Sequence, residues 1–600
     1  MPTPLPAIST ASALLSLSGT DTGDSVQTLG YYSAHDGGHL NYVWDDTSTA
    51  TPDGYDSSHP GLIVRPTAIS SGDPGRWIAQ VDRSEIFAKW FGVKADGIQD
   101  DTPYVQAAID RAINKDSTWP WGCSVVRLPG GSIKTTDTIH LGYGSAAYSM
   151  ISLVGTGKRG AYFVFSGTQI KPNFTDSPVI NIQGGRHISI ESLGIIGTLA
   201  TTSLNANLPA NESAWDAVVT TDVKKQFAGI SVDAYSGTEP AGGYDNAPAG
   251  WSKYHTSDVK IKECYISNVG CGVLIKPSGG DGNGDYVEVH DTHISSCKYG
   301  LSVNGSQSRG NRLVNCKVIN CFTAAGVGYF GPTLGRDVFI ESCALEGCTW
   351  MIRGVNTDWV GKYVINNSFG ERCNGIIDLA SGGDNCSVTI SNNSFTAFDS
   401  DDSSSEVRQQ ICATGCNLSV VNNRFILEGN TRPTLIIRPG VTCNIDGNIF
   451  VRTSSRYGGA PDYAMISGSY SEVKPHGRNL GTDYIPSPLS GAYYSATMVD
   501  PVYDGDKRFS CGSGKQGTAL QNARVDELVI IASVSDKSVE IYKVISKASA
   551  SSACVLELVT DCDEDDPIDS TGCVTRLGES RLGAILVQAS NMIKADRPVQ

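Results

Sequence analysis

Two sets of charged residues recur at intervals that bring their members to nearly one register of a repeating chain. The first comprises Glu346, Arg353, Glu371 and Asp378. The second comprises Asp281 and Asp285, Arg309, Arg336 with Asp337, Asp358 with Trp359, and Asp384. Two carboxyl groups a few ångströms apart can break a glycosidic bond, one as general acid and the other as base or nucleophile. Glu346, Glu371, Asp358, Asp384 and Asp337 are the candidate catalytic groups. Trp359 can offer a ring face to a sugar, and Arg353, Arg336 and Arg309, with Asp378, can hold its polar or acidic substituents. A different chemistry, proton abstraction beside a uronic acid carboxyl, would use Lys260, Lys262, His290, His293 and Lys317. Asp beside Gly is also ordinary turn composition, and Glu, Lys and Arg are ordinary solvated side chains, so spacing alone leaves both readings open.

The elements that must position these groups show in a long repeat. An aliphatic residue, two variable residues, a small or polar residue, a variable residue and an apolar residue recur from Ile261-Lys-Glu-Cys264-Tyr-Ile266 to Ile445-Asp-Gly-Asn448-Ile-Phe450. An earlier copy lies at Ile190–Ile195. The fourth position advances through Cys264, Thr292, Cys316, Cys343, Asn367, Asn393, Asn423 and Asn448, in steps of 24 to 30 residues. That period fits one coil of a parallel β-helix. A leucine-rich repeat needs a denser Leu consensus, and a propeller blade needs about 40 residues or more. Stacked coils lie about 4.8 Å apart, so equivalent residues form ladders. On this ladder Glu346 is three residues past Cys343 and Glu371 four past Asn367; Asp358 and Asp384 are each nine before their Asn. His290 and Glu341 share a column two residues before the ladder. Stacked Asn amides can satisfy one another along the axis. Cys271, Cys297, Cys321, Cys348 and Cys373 form a second set, five to seven residues on, expected as buried free thiols although the chain has 17 cysteines.

Composition agrees with a turn-rich all-β chain: 66 of 600 residues are Gly and 18% are charged. A net charge of -16 argues against nucleic acid or an anionic membrane as partner. No apolar run is long enough to span a membrane, and Met1-Pro-Thr-Pro-Leu-Pro lacks the basic and apolar regions of a secretory signal. No acidic cluster at calcium-like spacing, phosphate loop or Ser-His-Asp order stands out, so no metal or cofactor is expected. Five regions are expected: a small β-rich domain over 1–85 with strand pieces at Tyr31-Tyr32 and Tyr42-Val43-Trp44; a helix and first coil over 86–145; coils over 146–452; an irregular linker over 453–515; and a C-terminal β domain over 516–600. Thr102 is placed to cap the helix, Pro103 suits its first position, and Val105, Ala108, Ile109 and Ala112 line one face.

The run Phe91-Gly-Val-Lys-Ala-Asp-Gly-Ile-Gln-Asp-Asp-Thr102, the helix after it and Val125-Val-Arg-Leu-Pro-Gly-Gly131 resemble the N-terminal signature of the pectate-lyase-like superfamily found in phage tailspikes and capsule depolymerases. Leu29–Ser48 with Gly75-Arg-Trp77 resembles the small domain ahead of the β-helix in many tailspikes. The resemblance covers roughly residues 25–450 and implies an all-β fold, a right-handed parallel β-helix whose open end the helix caps. It also implies a homotrimer in the virion, made in the host cytoplasm and joined through its N-terminal region to a phage tail or baseplate protein. Its ligand would be a bacterial surface polysaccharide (capsule or O-antigen), hydrolysed, cleaved by a lyase or only gripped. The C-terminal domain would serve trimerisation or carbohydrate binding.

Overall fold

The computed structural model describes residues 5–82, 84–113, 125–141, 151–159, 165–183, 185–199, 227–233, 256–275, 284–304, 308–328, 337–354, 359–371, 373, 375–379, 382–398, 411–413, 416–428, 435–437 and 442–453. Beyond these it describes short strands up to residue 577. The chain forms two compact units, one essentially Met1–Ile376 and the other essentially the chain from Ile377 to Gln600.

The first unit begins with an antiparallel sheet ordered Ser25–Thr28, Leu40–Asp45, Arg76–Ala79, Ile63–Val64. Strict alternation along Leu40–Asp45 buries Leu40, Tyr42 and Trp44, and the Trp44 and Trp77 rings meet at 5.1 Å. Tyr31 and Tyr32 lie in the turn before Leu40 rather than in a strand, because the Asp36 carboxylate accepts the N–H groups of Tyr31, Tyr32, Ser33 and Gly38. The helix α1 (Thr102–Ile113) buries Val105, Ala108, Ile109 and Ala112. It packs on Glu85–Phe87, Val125–Arg127 and Ile139–Leu141, strands of the earliest coils. Thr102 is inside the helix rather than its cap. Asp100 Oδ1 accepts the Thr102 N–H at 3.1 Å and its hydroxyl at 2.6 Å, while Asp101 is engaged by the Lys94 and Ala95 N–H groups at 2.9 Å. Arg111 reaches Asp53 at 3.2 Å, a buried ion pair joining α1 to the first sheet's loops.

From Glu85 onwards, strands are dealt in turn to three parallel sheets, one strand to each per coil, which makes a parallel β-helix. In this unit the first sheet runs from Glu85–Phe87 to Trp359–Asn366 and the third from Ile139–Leu141 to Trp350–Gly354. The second runs Asp96–Asp100, Gly131–Thr135, Thr168–Pro172, Gly194–Ile196, Tyr265–Ser267, His293–Ser295, Lys317–Ile319, Ala344–Glu346 and Phe369–Glu371. Inward Ile, Val and Leu stack in register, as in Ile190, Ile261, Val289, Leu313, Ile340 and Ile365. Corners are made by single residues of left-handed conformation: Ser192, Glu263, Asp291, Asn315, Ser342 and Asn367 between the first and second sheets, and Asn268, Ser296, Asn320 and Gly347 between the second and third. Short polar side chains and Gly tolerate that geometry best.

The ladder has a sharper rule than small size. Cys264 N–H donates to Thr292 Oγ1 at 3.2 Å, Cys316 N–H to Cys343 Sγ at 3.4 Å and Cys343 N–H to Ser368 Oγ at 3.1 Å. Each of these side chains accepts the buried N–H of the coil before it, which would otherwise be orphaned. Ser368, not Asn367, therefore occupies the ladder; Asn367 is the exposed corner residue with φ 50°. The second cysteine set is also adjusted. Cys297, Cys321, Cys348 and Cys373 each sit two residues before a third-sheet strand begins, and the matching residue in the preceding coil is Val269. Cys271 instead opens its strand and pairs with Tyr299. The ten cysteines whose side chains are described are all buried and free.

The second unit repeats the scheme. Asn423 Oδ1 accepts the Asn393 N–H and Nδ2 at 3.0 and 2.9 Å, and Asn448 Oδ1 accepts the same two groups of Asn423 at 2.9 and 3.0 Å. Parallel pairing continues through Val473–Pro475 and Leu480–Gly481 to Pro486–Ser487, beyond the last sequence repeat at Phe450. An antiparallel six-stranded sheet comes after it, from Val502–Tyr503 to Cys573–Leu577. Among the described residues no helix is long and apolar enough to cross a membrane.

Candidate functional site

Each three-residue strand of the second sheet turns its middle side chain inward and its two ends outward. The leading outward column is Gly194, Tyr265, His293, Lys317, Ala344, Phe369; the trailing one is Ile196, Ser267, Ser295, Ile319, Glu346, Glu371. Glu346 and Glu371 are direct register partners. The one-residue offset expected between them vanishes once Ser368 takes the ladder, since both then follow it by three. Their backbones are one coil apart, about 4.8 Å. Lys317, on the coil before, brings Nζ to 3.6 Å from Glu346 Oε2.

Burial changes along this face. His293, Ser267, Ser295 and Ile319 point outward yet are only 2 to 4% exposed. Lys317, Glu346 and Glu371 are half-buried, and Phe369 is 44% exposed. The outer face thus passes from covered to partly open at the two glutamates. His293 packs against Tyr265 with ring centroids 5.0 Å apart.

Around the corner, Trp350 opens the third-sheet strand and lies in a buried cluster with Phe322, Tyr299, Leu274, Cys271 and Ala228. Its ring occupies the space beside Gly375, where a Cβ would fall 2.1 Å from ring atoms. The Arg353 guanidinium lies 5.2 Å from the Phe322 ring and 6.0 Å from that of Trp350, so it is engaged with aromatic faces.

The remaining candidates fare differently. Asp337 Oδ1 accepts the Lys362 N–H at 2.9 Å, and Asp285 Oδ1 accepts the Arg309 N–H at 2.7 Å. Both acids therefore staple one coil to the next at the entry to the first sheet, and Asp337 is a turn residue by geometry. Arg309 is exposed at that same turn. Asp378 lies on Gly375–Leu379, where it pairs with Cys412 in the second unit. Asp358 and Arg336 lie outside the described residues, and Trp359 and Asp384 are described only as backbone in Trp359–Asn366 and Gly382–Ser391. The equal offset expected of Asp358 and Asp384 rested on Asn367; from Ser368 the first becomes ten.

The basic set divides between two faces. Lys260, Glu288, Arg312 and Phe339 form one outward column of the first sheet, and Lys262, His290, Val314 and Glu341 the next. There Glu288 holds His290 at 3.3 Å and Arg312 at 3.7 Å. His293 and Lys317 stand instead on the second sheet, with the glutamates. Two neighbours were missed from sequence, Tyr265 and Phe369. Either could have been found by reading the residues one position each side of the inward Ile266 and its equivalents. Among the described residues no three His, Cys, Asp or Glu side chains gather as a metal site.

No protein-family model and no curated protein matches the chain. Solved structures similar to it include the tailspike protein gp49 of Acinetobacter baumannii bacteriophage Fri1, a capsular polysaccharide depolymerase, at 12% identity and TM-score 0.37 over 96% of this chain and 95% of that one. The Acinetobacter phage vB_ApiP_P1 tailspike is similar at 12% identity and TM-score 0.40, covering 96% of each chain. The A-module of the mannuronan C-5 epimerase AlgE6 of Azotobacter vinelandii gives 14% identity and TM-score 0.39 over 67% of this chain and 92% of that one. The fold itself rests on the strand pairing.

Proposed function

We propose that this chain is a phage tailspike that binds and depolymerises a bacterial surface polysaccharide by hydrolysing glycosidic bonds. The observation that carries the reading is the stacking of Glu346 on Glu371 at the edge of a face that opens to solvent. A backbone separation of about 4.8 Å lies near the roughly 5 Å carboxyl spacing of retaining glycosidases and well short of the inverting range. Glu346, held against the Lys317 ammonium, is assigned the nucleophile. Glu371 is assigned the acid that protonates the leaving oxygen and then deprotonates the incoming water. A homotrimer, attachment to a tail or baseplate protein through the N-terminal region, residence in the virion, and a capsule or O-antigen as substrate accompany this reading.

A polysaccharide lyase on the same face is the second reading, favoured by Tyr265, His293 and Lys317 standing in one column. Digestion of purified capsular and O-antigen polysaccharides separates the two. Hydrolysis yields new reducing ends without the ultraviolet band of unsaturated uronic products; elimination yields that band. Tight retention on host cells with no shortening of any glycan would instead mark a binding spike.

A further inference from the structure

The geometry points to a sugar-stacking subsite on Phe369, seating a pyranose by its C–H face beside the carboxylate pair. The inference rests on the glycan-cleaving reading and names the group that orients the substrate there. Phe369 and Glu371 are two residues apart on one strand, so both point outward, with backbones roughly 6.6 Å apart. That span is about one sugar ring, so a pyranose lying on Phe369 presents its glycosidic oxygen to Glu371 and its ring carbon to Glu346.

The surroundings leave the ring available. Its register partner one coil earlier is Ala344, whose methyl covers little of the phenyl face. Lys317 is two coils away and turned to Glu346. Among the described residues no aromatic ring or cation sits against Phe369. Phe369, 44% exposed, is an apolar residue beside the half-buried Lys317, Glu346 and Glu371, and it gains by being covered. Sugar C–H groups are weakly apolar, and the hydroxyl groups on the ring's edges remain free to meet Lys317 and the glutamates. A coil rise of about 4.8 Å then places the neighbouring sugar along the axis over Ala344, within the open part of the face.

The test uses the full chain and the purified bacterial polysaccharide that it shortens fastest in the digestion screen. Phe369→Ala and Phe369→Leu should each raise KM roughly ten- to thirtyfold, the area of ring face left uncovered setting that scale, with the loss falling on KM rather than kcat. Phe369→Trp should restore KM to within about threefold and shift its indole emission when that polysaccharide is added. A KM for Phe369→Leu equal to wild type overturns the subsite, because bulk without a flat ring would then suffice. So does a fall in kcat with KM unchanged. If wild-type protein shortens no glycan, the underlying reading fails along with the subsite; if it does and Phe369→Ala behaves as wild type, only the subsite fails.

Discussion

Replacing Asn423 with Ala should destabilise the second unit by about 4 kcal/mol, and the structure says where that figure comes from. Asn423 Nδ2 donates to Ile390 O at 2.8 Å and to Asn448 Oδ1 at 3.0 Å. Its Oδ1 accepts two groups of Asn393. Alanine removes these four hydrogen bonds at a net cost of about 1 kcal/mol each, the buried Asn393 N–H losing its acceptor. Asn448 Oδ1 keeps the Asn423 N–H. Threonine should cost about half as much. In the first unit, Thr292 Oγ1 accepts the Cys264 N–H and donates to His290 O at 2.7 Å, so a hydroxyl can serve the buried N–H while returning its own hydrogen locally. Native-state hydrogen exchange reads the effect at the Asn393 amide. Protection should fall in the order Asn, Thr, Ala. Alanine indistinguishable from wild type, or threonine as damaging as alanine, would refute the acceptor rule.

Other consequences stem from single features. Buried thiols should be silent to a disulfide reagent in the native protein at neutral pH and titrate fully on denaturation: burial pushes Cys321 well above its ordinary range, and hydrogen bonding from the neighbouring thiol followed by burial does the same for Cys373. Rapid native labelling of any of the ten would count against the ladder. Asp53 is pushed up to about 6 by burial, against the opposing pull of the Ile63 N–H and Arg111. A folded value above the unfolded one means that the native state binds the extra proton between about pH 4 and 6. Stability from this group is therefore full below about pH 4 and lost as pH rises through 6, about 3 kcal/mol in all. Asp53→Asn should flatten that part of the pH–stability curve, measured against wild type by urea melts; parallel curves would contradict it. Gly375→Ala should cost about 1–3 kcal/mol because its Cβ meets the rigid Trp350 ring, and a wild-type melting temperature would show that the ring moves freely. Products of the wild-type reaction, followed by NMR at early times, should retain anomeric configuration.

The architecture was legible because one rule, an inward aliphatic every coil, is written many times. Its failures were local and have physical causes. Val364-Ile365 and Asn367-Ser368 each offer two residues of suitable type, so the repeat could be drawn one residue early; only the demand that a side chain accept the Cys343 N–H picks Ser368. Cys271 shared its type with the thiol column but not its place, because the preceding corner there is filled by Val269. Thr102 has the chemistry of a helix cap, but Asp100 and Asp101 take up the local N–H groups. The last coils use strands of two or three residues, too short to leave a periodic signature. At the site, spacing alone puts Glu346 and Glu371 on adjacent coils, whereas it does not show that one oxygen of Asp337 is engaged by the next coil's backbone. Phe369 reads as the inward apolar residue of its copy when the repeat is drawn from Asn367; with Ser368 in the ladder it faces outward, 44% exposed.

The most direct test compares glycan cleavage by wild type, Glu346→Gln and Glu371→Gln, each checked for native secondary structure and assembly. Both substitutions keep shape and remove one carboxyl from the stacked pair, and each should lower kcat by about a hundredfold or more. Cleavage by either variant within about threefold of wild type would mean that the bond is broken elsewhere.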